Sequence, residues 1–281
     1  LVASAGTGAT GATSSIVATV STFGSGIVSG CGIMLGRYWG AGQKDRLRHT
    51  MANIWYLTAA MSLLLTLSFA LTLRPLMRLT HVPEELAPMA LEYTYIIICS
   101  MPLSFVGNVL GTAFRSLGDS RTPLLTSLIG GAANVGFNYI FMRVVPLGIA
   151  GAAIGTACSA GTSLVLNLIF FCRGLPLLRV RRADAGLEMR EVGRLFLVGF
   201  PVGLLNSVTS ISSVILQDAV NRQGSAAVTG FATGDKVVGI TWTVIMTFET
   251  TLIFFDAQNR GAGNIGRIRQ GMRQTSFVML G

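Results

Sequence analysis

Charge is scarce in this sequence: only 12% of its 281 residues are Asp, Glu, Lys or Arg, about half of what soluble domains carry. Histidine is nearly absent. His49 and His81 lie outside the apolar runs and share no ligand cluster, which excludes a zinc site or a histidine-based triad. The few cysteines, Cys31, Cys99, Cys158 and Cys172, fall in or at the ends of apolar runs without metal-ligand spacing, and read as small core residues. Gly6-Thr7-Gly8-Ala9-Thr10-Gly11 is a literal GxGxxG, but a dinucleotide site also needs a preceding strand and an acid about 20 residues on, and neither is there. No Asn-x-Ser/Thr acceptor occurs. Without a nucleophile–base pair or metal constellation the sequence predicts no enzyme and no cofactor.

What the chain has is apolar length. Hydrophobic residues make up 51% of it, glycine occurs 34 times, and the mean hydropathy is +0.62. A soluble fold could not bury so much apolar surface, whereas lipid accepts it. Segments near 12–36, 50–73, 88–113, 122–142, 147–172, 192–220 and 225–257 reach the roughly 20 residues that cross a bilayer, and an eighth begins near 272. Open strands cannot satisfy their backbone in lipid, so the expected fold class is an all-α polytopic membrane protein.

The net charge of +9 would suit nucleic acid if it formed a patch, but the basic residues sit in short links between apolar runs. Arg37, Lys44, Arg46, Arg48, Arg115, Arg121, Arg173, Arg179, Arg181, Arg182, Arg190, Arg194, Arg260, Arg267, Arg269 and Arg273 fall on one side. Arg74, Arg78, Arg143 and Arg222 fall on the other. The crowded side is cytoplasmic by the positive-inside rule, and only Lys236 is left inside a span. This distribution points to the bilayer and not to nucleic acid as partner, and the chain is expected to be a monomer.

Arg37-Tyr38-Trp39-Gly40-Ala41-Gly42 through Arg48 has a second copy at Gln258-Asn259-Arg260-Gly261-Ala262-Gly263 through Arg269. The copies lie about 221 residues apart, far beyond a solenoid unit, and predict two homologous halves with both turns facing the cytoplasm. Residues 1–172 form the first lobe, 173–191 a solvated cytoplasmic linker, and 192–281 the start of the second lobe. Small residues at helical spacing (Gly26 and Gly30; Gly32, Gly36 and Gly40; Gly107 and Gly111; Gly151 and Gly155) predict close helix approach, with a minor share for surfaces that slide.

Ionisable groups inside spans mark function, since each needs a cavity or a partner. In 225–257, Asp235, Glu249 and Asp256 fall within roughly 60° of one another on a helix, while Lys236 points about 100° away from Asp235. This carboxylate stripe is a candidate proton or cation path. Asp256 has a structural alternative, pairing with Arg260 at i+4. Asn134 and Asn138, with Tyr139 beside them, either glue helices or line a cavity. Asn206, Gln217 and Asp218 form a looser polar set, with Pro201 able to kink the helix start.

These segments, taken in order, resemble the multidrug and toxic compound extrusion (MATE) transporters. Tyr38 to Gly42 resembles the end of that family's second helix. Phe114-Arg115-Ser116-Leu117-Gly118-Asp119-Ser120-Arg121-Thr122-Pro123 is similar to its "RGxGDTRTP" link, and Leu147 to Thr156 to its "GxxGAAxAT" stretch. Gly199-Phe200-Pro201, Gln217 to Gly224 and Gln258 to Gly263 ("QNxGAG") resemble helices seven and eight. The resemblance implies a two-lobe helical bundle of parallel six-helix repeats, of which this chain carries helices two to eight and the start of nine, as a piece of a longer protein. It implies an exporter of amphipathic, cationic small molecules in the bacterial cytoplasmic membrane, coupled to H+ or Na+. The Glu that one sodium-coupled branch places after the helix-seven proline falls here near Thr209, so that site departs from the pattern. Two alternatives stay open: a lipid-linked saccharide flippase, which needs a strongly cationic cavity, and an inactive structural fragment.

Overall fold

The computed structural model describes residues 2–79, 87–145, 147–179, 186–221, 223 and 225–280. They form eight helices and no strand among the described residues: α1 (Val2–Gly40), α2 (Lys44–Leu79), α3 (Ala87–Ser116), α4 (Arg121–Tyr139), α5 (Gly148–Gly174), α6 (Met189–Asn221), α7 (Ser225–Gly261) and α8 (Ile265–Leu280). Each expected apolar segment became a helix, as the absence of water in a bilayer demands. A π-helical turn, Ile140–Val144, continues α4, and a 3-10 turn, Pro176–Leu178, follows α5. Pro201 does not break the start of α6. The helix runs through it from Met189 to Asn221, because packed neighbours in a membrane tolerate the lost backbone bond.

The side-chain distribution is inverted relative to a soluble bundle. Along α2, Thr58 and Ser62 are buried while Leu63, Leu64, Leu67 and Leu71 are exposed. Among the described residues, five helices are long and apolar enough to cross a membrane: α2, α3, α5, α6 and α4 with its π turn. The apolar faces turn outward because lipid is their solvent.

α1 is the axis of the molecule, packing on α6, α3, α7 and α2. Its two glycine faces explain how. Gly26 and Gly30 lie against Gly203 and Gly199 of α6, and a Cβ at any of the four would overlap backbone atoms of the other helix. Gly32, Gly36 and Gly40 face Phe254, Ala257 and Gln258 of α7. Gly151 and Gly155 likewise admit Phe141 and Asn138. Gly107 and Gly111 depart from the expectation: a Cβ at Gly107 would meet nothing within 4 Å, and at Gly111 only Arg115, because this stripe borders a cavity instead of a helix.

Away from the glycines the core is aliphatic and aromatic. Phe114 (1% exposed) meets the edge of Phe171 at 6.5 Å between centroids, and Trp55 does the same at 6.4 Å. Cys31 alone of the four cysteines is buried in that core. Cys99 and Cys172 are exposed and Cys158 is half-buried, so the reading of all four as core residues is corrected: an apolar run in a membrane protein has an outer face as well.

Candidate functional site

The two copies of the Gly-Ala-Gly turn are the same structure bond for bond. In the first, the Gly42 N–H donates to the Trp39 carbonyl and the Gln43 N–H to Tyr38. In the second, Gly263 donates to Arg260 and Asn264 to Asn259. Each is a Schellman cap with its glycine left-handed, φ +67° at Gly42 and +70° at Gly263. The turns also meet. A Cβ on Gly40 would strike the Gln258 carbonyl and a Cβ on Gly261 the Arg37 carbonyl, so equivalent residues of the two copies make reciprocal contacts. Such reciprocity marks a local two-fold relation. Gln258 then reaches sideways to donate to the Ser116 carbonyl at 2.8 Å, tying α3 to the crossing.

α3 ends in the same type of cap, with Gly118 at φ +94° and the Asp119 N–H bonded to the Phe114 carbonyl. Asp119 then starts α4. It accepts from the Arg121 and Thr122 N–H groups at 3.0 and 3.1 Å and from the Thr122 hydroxyl at 2.6 Å. Partial burial pushes its carboxyl up, but these three bonds and the Arg121 charge outweigh that and hold it below the usual carboxylate range. Asp119→Ala is therefore expected to cost about 1 kcal/mol, as the loss of a helix cap does. A folded-state pKa below the unfolded value contributes stability above about pH 3.9 and loses it as pH falls through the folded pKa. Melting temperatures of wild type and variant should differ at neutral pH and converge below that value.

Between α3, α4 and α5 lies a cavity of about 220 Å³, bordered by Ser104, Asn108, Arg115, Thr126, Ser127, Ser163 and Asn167 among others. A second, of about 120 Å³, shares Ser104 and Asn108 and reaches Ser21 and Ser25 of α1 and Thr156 of α5. Leu103, Pro123, Ile97, Met101 and Phe105 supply apolar wall, and the polar groups are hydroxyls and amides with one guanidinium. Arg115 Nε is buried without a hydrogen-bond partner, and the first cavity has no acid in its wall. Arg115, which the sequence counts on the crowded basic side, stands in the last turn of α3 and borders this cavity. A signal was present: Ser104, Asn108, Gly111 and Arg115 repeat at i, i+4, i+7 and i+11, one face of a helix.

The residues singled out from sequence lie elsewhere. Asn134 donates to the Ser159 hydroxyl at 3.2 Å and accepts from Asn138 at 3.1 Å, bridging α4 to α5. Asn138 Oδ1, buried against Gly155, has no donor. Tyr139 is exposed and Asn206 half-buried. Asp235 and Glu249 are exposed on α7. Asp256 is half-buried, with one carboxylate oxygen buried and unpartnered and no ion pair to Arg260 within 4.0 Å. The Lys236 and Gln217 side chains, and His81, fall outside the described residues. None of the described ones borders either cavity. Among the described residues no group of three His, Cys, Asp or Glu is placed to hold a metal.

The expected solvated linker is corrected at its end. Asn53, fully buried, accepts from the Glu188 N–H at 2.9 Å and donates to the Gly186 carbonyl, and Glu188 pairs with His49 at 3.0 Å. Glu191 is 6% exposed, accepting from Thr50 at 3.1 Å, Tyr38 at 3.4 Å and Arg194 at 3.5 Å. Tyr38 stands beyond the apolar part of α1. Its burial, then the Glu191 charge, raises the phenol above its ordinary value, so it stays a donor. A polar linker sequence carries no mark of which acid will be covered.

A bundle of apolar helices with exposed leucine-rich faces, an aliphatic and aromatic core, polar-lined cavities and crossing repeat copies defines an integral membrane protein. The MatE family model matches residues 1–140, and the chain belongs to the MATE family. It is 26% identical over 259 residues to the probable multidrug resistance protein YoeA of Bacillus subtilis, covering 90% of this chain and 56% of that protein. It is 23% identical to the FAD transporter of Shewanella oneidensis, covering 90% and 57%. The crystal structure of a mutant MATE transporter VcmN of Vibrio cholerae has the same fold, with TM-score 0.87 at 20% identity over 97% of this chain and 61% of that one. The chain spans somewhat over half the length of these relatives.

Proposed function

We propose that the full-length protein is a secondary active exporter of amphipathic, cationic small molecules in the bacterial cytoplasmic membrane, driven by H+ or Na+ antiport. Lobes 1–172 and 192–281, joined by 173–191, would rock about a substrate held between them. The observation that carries this reading is the reciprocal crossing of the two repeat copies at the cytoplasmic end. Two equivalent halves meeting about a local two-fold axis are what alternating access requires. The exposed carboxylates Asp235 and Glu249, on one face of α7 with Asp256, supply groups whose protonation or cation binding would bias one state over the other. Nothing in this reading needs an enzymatic cofactor.

The test is uptake of a fluorescent organic cation into inverted vesicles carrying the full-length protein, under a proton or a sodium gradient. Glu249→Gln is expected to lower gradient-driven uptake at least about tenfold, the loss that follows when a coupling group contributes some 1.4 kcal/mol or more to the bias between states. Uptake that the variant retains removes Glu249 from the coupling path. Absence of uptake under either gradient removes the cationic reading.

A second reading rests on the acid-free cavity that Arg115 borders. A guanidinium among hydroxyls and amides suits a carboxylate or phosphate, and one relative is named as a transporter of FAD, an anion. A lipid-linked saccharide pyrophosphate belongs to the same charge class. Competition of the vesicle assay by an anionic dinucleotide, with loss in Arg115→Gln, would select it.

A further inference from the structure

Resting on the transport reading above, we propose that Glu191 is a positioning residue that ties the cytoplasmic end of α6 to α1 and α2 and releases without stranding a charge. A carboxylate this deeply covered is costly unless it is hydrogen-bonded. Its donors come from two sources. Thr50, 1% exposed at the start of α2, and Tyr38, near the end of α1, belong to the first lobe. Arg194 stands one turn along α6 itself, its guanidinium half-exposed.

That division of donors decides how the contact can open. When α6 separates from α1 and α2, Thr50 and Tyr38 stay behind, but Arg194 travels with Glu191. The acid leaves as half of an ion pair into cytoplasmic water, which replaces the two lost donors. The closed arrangement is thus favoured by two charge-assisted bonds, and the open one carries no buried unpaired charge. Nearby, Glu188 is held to α2 by His49 and Asn53, so the chain on the linker side of Glu191 stays with the first lobe. Motion of α6 would then pivot at its first residues, from Met189 to Glu191. The glycine crossings that also hold α1 to α6 and α7 are close contacts without any such partner exchange; Glu191 joins the Gln258–Ser116 bond as a polar element of the closure, and of the two it alone carries a charge.

The experiment uses the full-length protein in lipid nanodiscs, with the native cysteines replaced and spin labels at Gln43→Cys and Gly266→Cys. Both sites are exposed, one in each repeat turn region. The distance distribution is measured for wild type, Glu191→Ala, Glu191→Gln, Thr50→Val and Tyr38→Phe. The expected result is a short-distance majority in wild type and a shift of about tenfold in the ratio of long to short distances in Glu191→Ala. Thr50→Val should shift the ratio in the same direction, and Glu191→Gln, which keeps acceptor and shape, should shift it less. Unchanged distances in Glu191→Ala overturn the proposal. If that variant fails to fold, unchanged distances in both Thr50→Val and Tyr38→Phe overturn it equally. The vesicle assay separates the two ideas: active transport with unresponsive distances removes the tie and leaves the transporter. Responsive distances in a protein that moves no substrate leave the tie and remove the transport reading.

Discussion

Gly30→Ala and Gly199→Ala are each expected to destabilise the bundle by about 2–3 kcal/mol, at the upper end of what overpacking costs. The Cβ of either residue would overlap backbone of the opposite helix, Gly199 in one case and Ile27 in the other. Backbone cannot rotate out of the way as a side chain can, so α1 and α6 must separate along the whole crossing, and the Gly26–Gly203 contact one turn away loosens with it. The double variant should cost less than the sum, because helices already forced apart by one methyl accommodate the second. Thermal unfolding of purified protein in one detergent measures this. Gly107→Ala is the control, expected within about 0.5 kcal/mol since its Cβ would meet nothing within 4 Å. Equal melting temperatures for Gly30→Ala and Gly107→Ala would mean that α1 and α6 are not in this contact.

The second large effect is expected at the repeat turns, where two kinds of glycine sit two residues apart. Gly42 and Gly263 are left-handed and face open space, so Ala there costs only conformational strain, about 1–2 kcal/mol. Gly40 and Gly261 are ordinary helix-end residues whose missing side chains admit the opposite carbonyl. Ala at either is expected to cost more than at Gly42, about 3 kcal/mol, and to weaken the closed cytoplasmic end. Because the contacts are reciprocal, Gly40→Ala and Gly261→Ala should agree with each other in melting temperature and in spin-label distances. A large difference between them would show that the two copies do not share an axis.

Much of this molecule is written locally in its sequence. Hydropathy set the eight helices to within a few residues over most of their length, because each must satisfy its backbone alone in lipid. The departures are α1, which starts at Val2 and not near 12, α2, which runs six residues further at each end, and the start of α8. Arg267 and Arg269 read as loop, yet the Asn264 side chain caps the Arg267 N–H at 3.3 Å and the helix begins at Ile265. The identity of the two turns was also legible, because a Schellman cap depends on a short run of residues with glycine at its left-handed position.

The sequence by itself determined the helices, the repeat and the capping glycines, all of which follow from short-range chemistry. Only the tertiary structure decided which glycines meet, since Gly26 and Gly107 read alike and differ solely in what lies opposite. It also decided that Glu191 is covered while Glu249 is exposed, and that Arg115 borders a cavity that the expected carboxylates do not reach. Burial and partnership are properties of two surfaces, and residues as far apart along the chain as Tyr38 and Glu191 acquire them only when α1 and α6 pack.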